Sequence, residues 1–124
     1  MFVKFNPNPQ AKNVGDCVIR AVSKALDQSW EKSYRDLSDL GIKIGDLPNA
    51  KSVCGTYLKH HGFRKRIIPD TCPDCYTVRE FCLDHPRGIF VLFAGEHTVT
   101  VQDGVIFDTW NSSDEVPQYY WEKM

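Results

Sequence analysis

The hydrophobic positions of this chain change their period about two thirds of the way along it. Between residues 16 and 84, apolar side chains recur every three or four positions, which is the period of an amphipathic helix. A first helix is predicted from Asp16, a good N-cap residue. Its buried stripe comprises Val18, Ala21, Val22, Ala25 and Leu26. Further helices are predicted after Ser29, from about Asn49 to His61, and from a capping box at Thr77 to about Asp84.

From Ile89 onward the pattern becomes that of β-strands. Residues 89–93 form a continuous apolar run, which is typical of a strand buried on both faces. Residues 98–101 and 105–109 alternate, and the dipeptide Asp103-Gly104 between them favours a two-residue hairpin turn. Helices followed by such strands predict an α+β domain, in which N-terminal helices pack on a C-terminal antiparallel sheet.

The remaining segments show weaker patterns. Residues 1–15 are rich in Asn, Pro and Gly and are predicted to be extended, while Gly41, Gly45 and Pro48 indicate a loop. A short strand is predicted at 66–68. The aromatic segment 116–121 is expected to pack on the sheet, with exposure to a partner as the alternative.

Composition limits the classes of protein that fit. The 124 residues suit one domain, residues 1–124, and 42% apolar residues suffice for a core. With 15 basic and 16 acidic residues, nucleic acid is not the expected partner, and Arg64-Lys65-Arg66 is interpreted as a solvated strand end. No apolar run reaches the length of a membrane span, and no signal peptide is recognisable, so a cytoplasmic location is expected. Five cysteines cannot all pair internally, which favours free thiols in a reducing compartment.

The hairpin brings candidate chemistry together. If Asp103-Gly104 is the turn, Val101 pairs with Ile106, and Asp108 then lies diagonal to His97 on the same face. An acid on a mostly apolar face needs a partner, and the imidazole is the simplest one. Cys17, in the first turn of the first helix, faces unpaired N–H groups that favour a thiolate. Cys17, His97 and Asp108 therefore form a candidate catalytic triad.

The same register predicts which face of the hairpin two neighbours of Asp108 occupy. Asn111 is an alternative orienting residue for the histidine, but it falls on the opposite face of the hairpin and would need a bulge to turn inward. Trp110 falls on the same face as His97 and could shield the pair from water.

A second cluster of chemistry-bearing residues lies between residues 72 and 85. Its members, with the spacing Cys-x-x-Cys followed by Cys-x-x-His, are Cys72, Cys75, Cys82 and His85. Such a set could form a structural zinc site. The simpler interpretation is that Cys82 is buried, His85 is at the surface, and Cys72 and Cys75 flank a tight turn. No cofactor is expected, and a redox role lacks the surrounding thioredoxin-like pattern.

Several of these segments also carry a family resemblance. The order of Cys on the first helix, His on a strand and Asp on the next strand resembles a minimal papain-like cysteine peptidase, as in compact bacteriocin-processing domains. The segments Asn6-Pro7-Asn8-Pro9, Gly15 to Ala21, Thr71 to Val78 and Phe107 to Trp110 are similar to small papain-like proteins of phages and prophages. The resemblance covers nearly the whole chain.

The resemblance implies a role for each member of the triad. Cys17 would be the nucleophile, His97 the general base, and Asp108 the residue that holds the imidazole in the useful tautomer. Papain-like enzymes place a glutamine about six residues before the nucleophile to complete the oxyanion hole. Here that position is Ala11, so Gln10 and Asn13 are the candidates.

The resemblance leaves the reaction open between three readings. The first is hydrolysis of a peptide or other amide bond in a peptide or protein substrate. The second is acyl transfer or deamidation by the same triad, and the third is an inactive protein that binds a host protein. The oligomeric state is also open.

Overall fold

Four helices and one six-stranded sheet make up the structure, a computed structural model that describes residues 1–124. The helices are α1 (Cys17–Ala25), α2 (Trp30–Ile44), α3 (Lys51–His60) and α4 (Val78–Asp84). The strands are β1 (Phe2–Lys4), β2 (Phe63–Ile67), β3 (Ile89–Ala94), β4 (His97–Gln102), β5 (Val105–Asp108) and β6 (Tyr119–Lys123). The predicted α+β class, with helices packed on a sheet, is confirmed. None of the helices is long and apolar enough to cross a membrane.

Two of the helices begin at the predicted caps. The hydroxyl of Ser29 accepts a hydrogen bond from the backbone N–H of Lys32, and that of Thr77 accepts one from Glu80, as a capping box requires. Asp16 occupies the N-cap position of α1, but its side chain makes no capping hydrogen bond. Its carboxylate is used elsewhere, as described below.

The β4–β5 hairpin has the predicted register. Val101 pairs with Ile106, and Gln102 pairs with Val105 across the turn. Asp103 and Gly104 both adopt positive φ, at 51° and 74°. That combination defines a type I′ turn, whose twist matches the two strands that it joins.

The sheet differs from the expected one in two strands, β1 and β6. Its order is β1-β5-β4-β3-β6-β2, and β1 pairs parallel with β5, so the sheet is mixed and not wholly antiparallel. The aromatic segment 119–123 does more than pack on the sheet, because it forms β6 between β3 and β2. Both differences arise from long-range pairing, which a local pattern of hydrophobic residues does not specify.

Helices cover both faces of the sheet. The larger core cluster joins α1, α2 and α3 to one face, and the smaller one joins α4 to the other. The polar side of β4 also packs under a helix, since the hydroxyl of Thr100 donates a 2.7 Å hydrogen bond to the carbonyl of Ala21 in α1. That bond lets a threonine replace an apolar residue beneath α1 without leaving a polar atom unpaired.

The predicted loop at residues 41–48 begins later than expected. Helix α2 continues through Gly41 and ends at Gly45, which adopts φ 85°. Position 41 lies inside the helix and is a glycine because the chain folds back over it. A Cβ at this position would lie 2.7 Å from the carbonyl oxygen of Asp46. The glycine therefore serves close approach, and only Gly45 supplies the turn.

We expect Gly41→Ala to destabilise the protein by about 1–3 kcal/mol, because the new methyl group must displace backbone atoms. Helix propensity alone predicts the opposite sign, a gain of about 1 kcal/mol. Urea denaturation monitored by circular dichroism measures the difference. A stabilised variant would show that the loop over α2 yields without cost.

Candidate active site

The structure brings the three predicted triad residues together. Cys17 is the first residue of α1, His97 the first of β4, and Asp108 the last of β5. The sulfur of Cys17 lies 3.9 Å from the carbonyl oxygen of Glu96, at the turn that precedes β4. A helix N-terminus, with its unpaired N–H groups, therefore meets the end of a hairpin.

The imidazole of His97 is held on two sides. Its Nε2 lies 2.6 Å from Oδ2 of Asp108, which leaves Nδ1 as the nitrogen available to the thiol. The ring of Trp110 lies 4.8 Å from the imidazole ring, centroid to centroid, and is 46% exposed. Trp110 thus covers one side of the histidine while remaining partly in water, as the shared face predicted.

Asp108 is completely buried and has four hydrogen-bond donors. Its Oδ1 accepts from Arg20 and from the backbone N–H of Thr109, each at 2.8 Å. Its Oδ2 accepts from Ser112 at 2.7 Å and from His97. With both oxygens saturated, the carboxylate cannot rotate, and the position of the imidazole is fixed.

Arg20 joins the triad to the helix that carries the nucleophile. It is 4% exposed, and its guanidinium binds Asp108 and, one turn earlier in α1, Asp16. The second oxygen of Asp16 accepts a 2.8 Å hydrogen bond from the indole of Trp30 in α2. A buried chain of hydrogen bonds and ion pairs therefore runs from Trp30 in α2, through Asp16 and Arg20, to Asp108 in β5.

These contacts set the pKa values of the pair. Burial by itself would raise the pKa of the Cys17 thiol, but hydrogen bonds from His97 and the Thr98 backbone, with the charges of His97 and Arg20, hold it below the usual value. Burial would lower the pKa of His97, yet Asp108 and Cys17 raise it to about 9. Burial would raise the pKa of Asp108, and its hydrogen bonds with the nearby charges of His97 and Arg20 lower it. The arrangement stabilises the thiolate of Cys17 and the imidazolium of His97 relative to the isolated side chains.

A cleft of about 510 Å³ opens beside the Cys17 sulfur. Its walls come from the start of α1, from the turn into β4, and from the loop and first turn of α3. Most of its polar lining is contributed by the segment 46–52, which includes Asn49 and Lys51. A substrate could reach the sulfur from this side.

The two predicted oxyanion donors do not reach this cleft. Gln10 and Asn13 are exposed, and neither lines it. The segment is folded locally, because the side chains of Asn6 and Asn8 cap successive turns and Ala11 adopts φ 55°. Asn49 lines the cleft, and neither Gln10 nor Asn13 does.

Asn111 does not orient the histidine. It is exposed, and its side-chain oxygen accepts a 3.2 Å hydrogen bond from the backbone of Ser113. No bulge turns it inward, in agreement with its predicted place on the other face.

The second cysteine cluster is not assembled as a metal site. Cys72 and Cys75 form a disulfide, so the expectation of five free thiols is wrong for this pair. Cys82 is a buried residue of α4, and the ring of His85 stacks on Phe81 with its Nδ1 beside the Phe81 carbonyl. No group of three or more His, Cys, Asp or Glu residues in the structure could hold a metal ion. The four residues are close together in the sequence, but the fold does not gather their side chains into one site.

Two partners of the triad were missed from the sequence, Arg20 and Ser112. Arg20 carried a usable signal, because it interrupts the apolar run Val18 to Val22 four residues after an acid. A charge on a buried helix face needs polar or charged partners, and Asp16 could supply only one of them. Ser112 had no comparable signal, since it follows the end of β5 in an irregular segment.

The chain matches no protein-family model, no curated protein and no solved structure. What the site can do therefore follows from its own geometry.

We expect Arg20→Met to cost about 3–5 kcal/mol, because two buried carboxylates lose their shared cation. The loss should shrink as the pH falls, since protonation of either carboxyl removes the unpaired charge. The matched control is Arg35→Met, which breaks an exposed pair with Glu31 and should change the free energy of unfolding far less, because water screens that pair. Equal losses of unfolding free energy for the two variants in urea would contradict a buried charge chain.

Proposed function

We propose that this protein is a papain-like thiol hydrolase that cleaves a peptide or other amide bond. The observation that carries the proposal is the 2.6 Å pairing of His97 with the buried Asp108, beside a cysteine on a helix N-terminus whose thiol pKa His97 lowers. Cys17 is the nucleophile, His97 the general acid and base, and Asp108 the orienting carboxylate. The sequence resemblance to papain-like peptidases supports the same assignment.

The reaction follows from the charge state of the pair. The Cys17 thiolate attacks the carbonyl carbon of the substrate, and the carbonyl oxygen becomes an oxyanion. The imidazolium of His97 then gives its proton to the departing amine as the C–N bond breaks, which leaves a thioester on Cys17. His97, now neutral, takes a proton from water. The resulting hydroxide equivalent attacks the thioester, and the acid product leaves.

The oxyanion needs donors that point toward the attacked carbonyl. The first-turn N–H groups of α1 lack helical partners and lie beside the sulfur. Asn49, an amide-bearing residue that lines the same cleft, is the proposed second donor in place of Gln10 or Asn13. This assignment uses the loop before α3 where papain-like enzymes use the segment before the nucleophile.

Iodoacetamide should label Cys17 at neutral pH at least about tenfold faster than an ordinary exposed cysteine, since only the thiolate reacts. Cys54 and Cys82 should react slowly, because burial raises the pKa of both thiols, that of Cys54 to about 12. Peptide mapping by mass spectrometry gives the three rates separately.

The control for this labelling is a change of histidine. His97→Ala should slow Cys17 to the rate of an ordinary thiol, whereas His60→Ala, at an exposed position in α3, should leave it unchanged. A protein that only binds a partner would show no dependence on His97, and that result would sink the catalytic proposal.

Hydrolysis should show a bell-shaped dependence on pH, because it needs the thiolate and the imidazolium together. It should fall in acid as the thiolate is protonated, below the usual thiol pKa, and in alkali near pH 9 as His97 loses its proton. Alkylation needs the thiolate alone and should not fall at high pH. Release of fragments from labelled casein gives the first profile. A hydrolysis rate that climbs steadily through pH 9 would contradict the ion pair.

A further inference from the structure

A second hollow, of about 360 Å³, continues from the cleft beside Cys17. The two share Lys51 and Ser52, in the first turn of α3. The hollow is bounded by α3 on one side and by β2 and β6 on the other. We call it the lysine pocket, after the residues that characterise it, Lys51, Lys59, Lys65, Tyr119 and Trp121.

The lysine pocket is positively charged and has no acid of its own. None of the residues that line it is acidic, and none of its three lysines forms an ion pair. The nearest acid on the sheet, Glu122, lies at the alternate position of β6 and pairs with Arg64 and Arg66. Because successive strand residues face opposite sides, that carboxylate is on the far face of the sheet.

The floor of the pocket is aromatic and packs closely against α3. The indole of Trp121 packs against α3 at Gly55, where a Cβ would lie 2.9 Å from the ring. Beside it, the ammonium of Lys65 lies 4.4 Å from the centre of the Tyr119 ring. The Tyr119 ring thus holds the Lys65 ammonium at the pocket without neutralising its charge.

We infer that the lysine pocket is a substrate subsite for an acidic peptide segment, a statement that rests on the proposed hydrolase function. Three unpaired ammonium groups beside an open, continuous cleft are complementary to Asp and Glu carboxylates of an extended chain. The subsite would make this enzyme selective for proteins that carry acidic residues on one side of the scissile bond.

The spacing of the lysines sets the interval between the acidic residues. Lys51 and Lys59 are about two turns apart along α3, which is about 12 Å. An extended peptide advances about 3.3 Å per residue, so it spans this interval in about four residues. A substrate that contacts both lysines is therefore expected to carry acidic residues about four positions apart.

The test separates binding from catalysis. In Cys17→Ala protein, fluorescence anisotropy compares a fluorescein-labelled peptide containing a run of glutamates with one that has glutamines at the same positions. The glutamate peptide should bind about tenfold more tightly at low salt, and the preference should shrink at high salt. Equal affinities would overturn the inference, whatever the reactivity of Cys17 proves to be.

A charge-matched pair of variants locates the effect. Lys59→Glu with Lys65→Glu should abolish the preference for glutamate, whereas Lys12→Glu with Lys43→Glu, at exposed positions outside the pocket, should keep it. An equal loss in both double variants would mean that only net charge matters, and would overturn the subsite. Tighter binding of a labelled oligothymidylate than of the glutamate peptide would overturn it in favour of a nucleic acid.

The cleavage pattern gives an independent readout. Active protein is incubated with a mixture of peptides from digested cell extract, and mass spectrometry identifies the cut sites. Acidic residues about four positions apart should be enriched on one side of the cut, and the Lys59→Glu, Lys65→Glu variant should lose that enrichment. No cleavage at all, with the binding preference intact, would count against the hydrolase and not against the pocket.

Discussion

A carboxylate without exposed surface must find positive charge or hydrogen-bond donors inside the protein, and Asp108 finds both. Its pairing with Arg20 ties the end of β5 to the helix whose first residue is Cys17. The same arginine holds Asp16, which binds the indole of Trp30 in α2. The position of the sulfur relative to the imidazole thus depends on a charge that contacts neither of them.

How much of this structure the sequence predicts depends on how local each sequence signal is. The hairpin register was predictable because Asp103-Gly104 fixes the turn and the alternation fixes the faces, and together these placed Asp108 beside His97. The strands β1 and β6 were not predicted, since their partners lie far away in the sequence. The oxyanion candidates Gln10 and Asn13 lie outside the lining of the cleft, and the reason is related. Their assignment counted residues back from Cys17, although the cleft is walled by a segment some thirty residues later.

The two ends of the proposed binding surface differ in charge. Glu96 and Asp46 line the cleft beside Cys17, while the lysines occupy its continuation along α3. The carboxylate of Asp46 is engaged by the hydroxyl of Ser52 and the backbone of Leu47, and so belongs to the frame of the loop. A substrate lying across both regions would therefore meet opposite electrostatic potentials at its two ends, which would orient it before any bond is broken.

The position of β6 has a consequence for how the chain is completed during synthesis. Strand β2 pairs only with β6. Strand β6 also pairs with β3, on the side of β3 opposite to β4. Until residues 119–123 have left the ribosome, both β2 and β3 expose unpaired backbone, and the wall of the lysine pocket is missing. The three residues of the proposed triad all precede residue 109, so a nascent chain would contain them before it contained the wall of the lysine pocket. The proposed subsite would therefore form after the proposed triad.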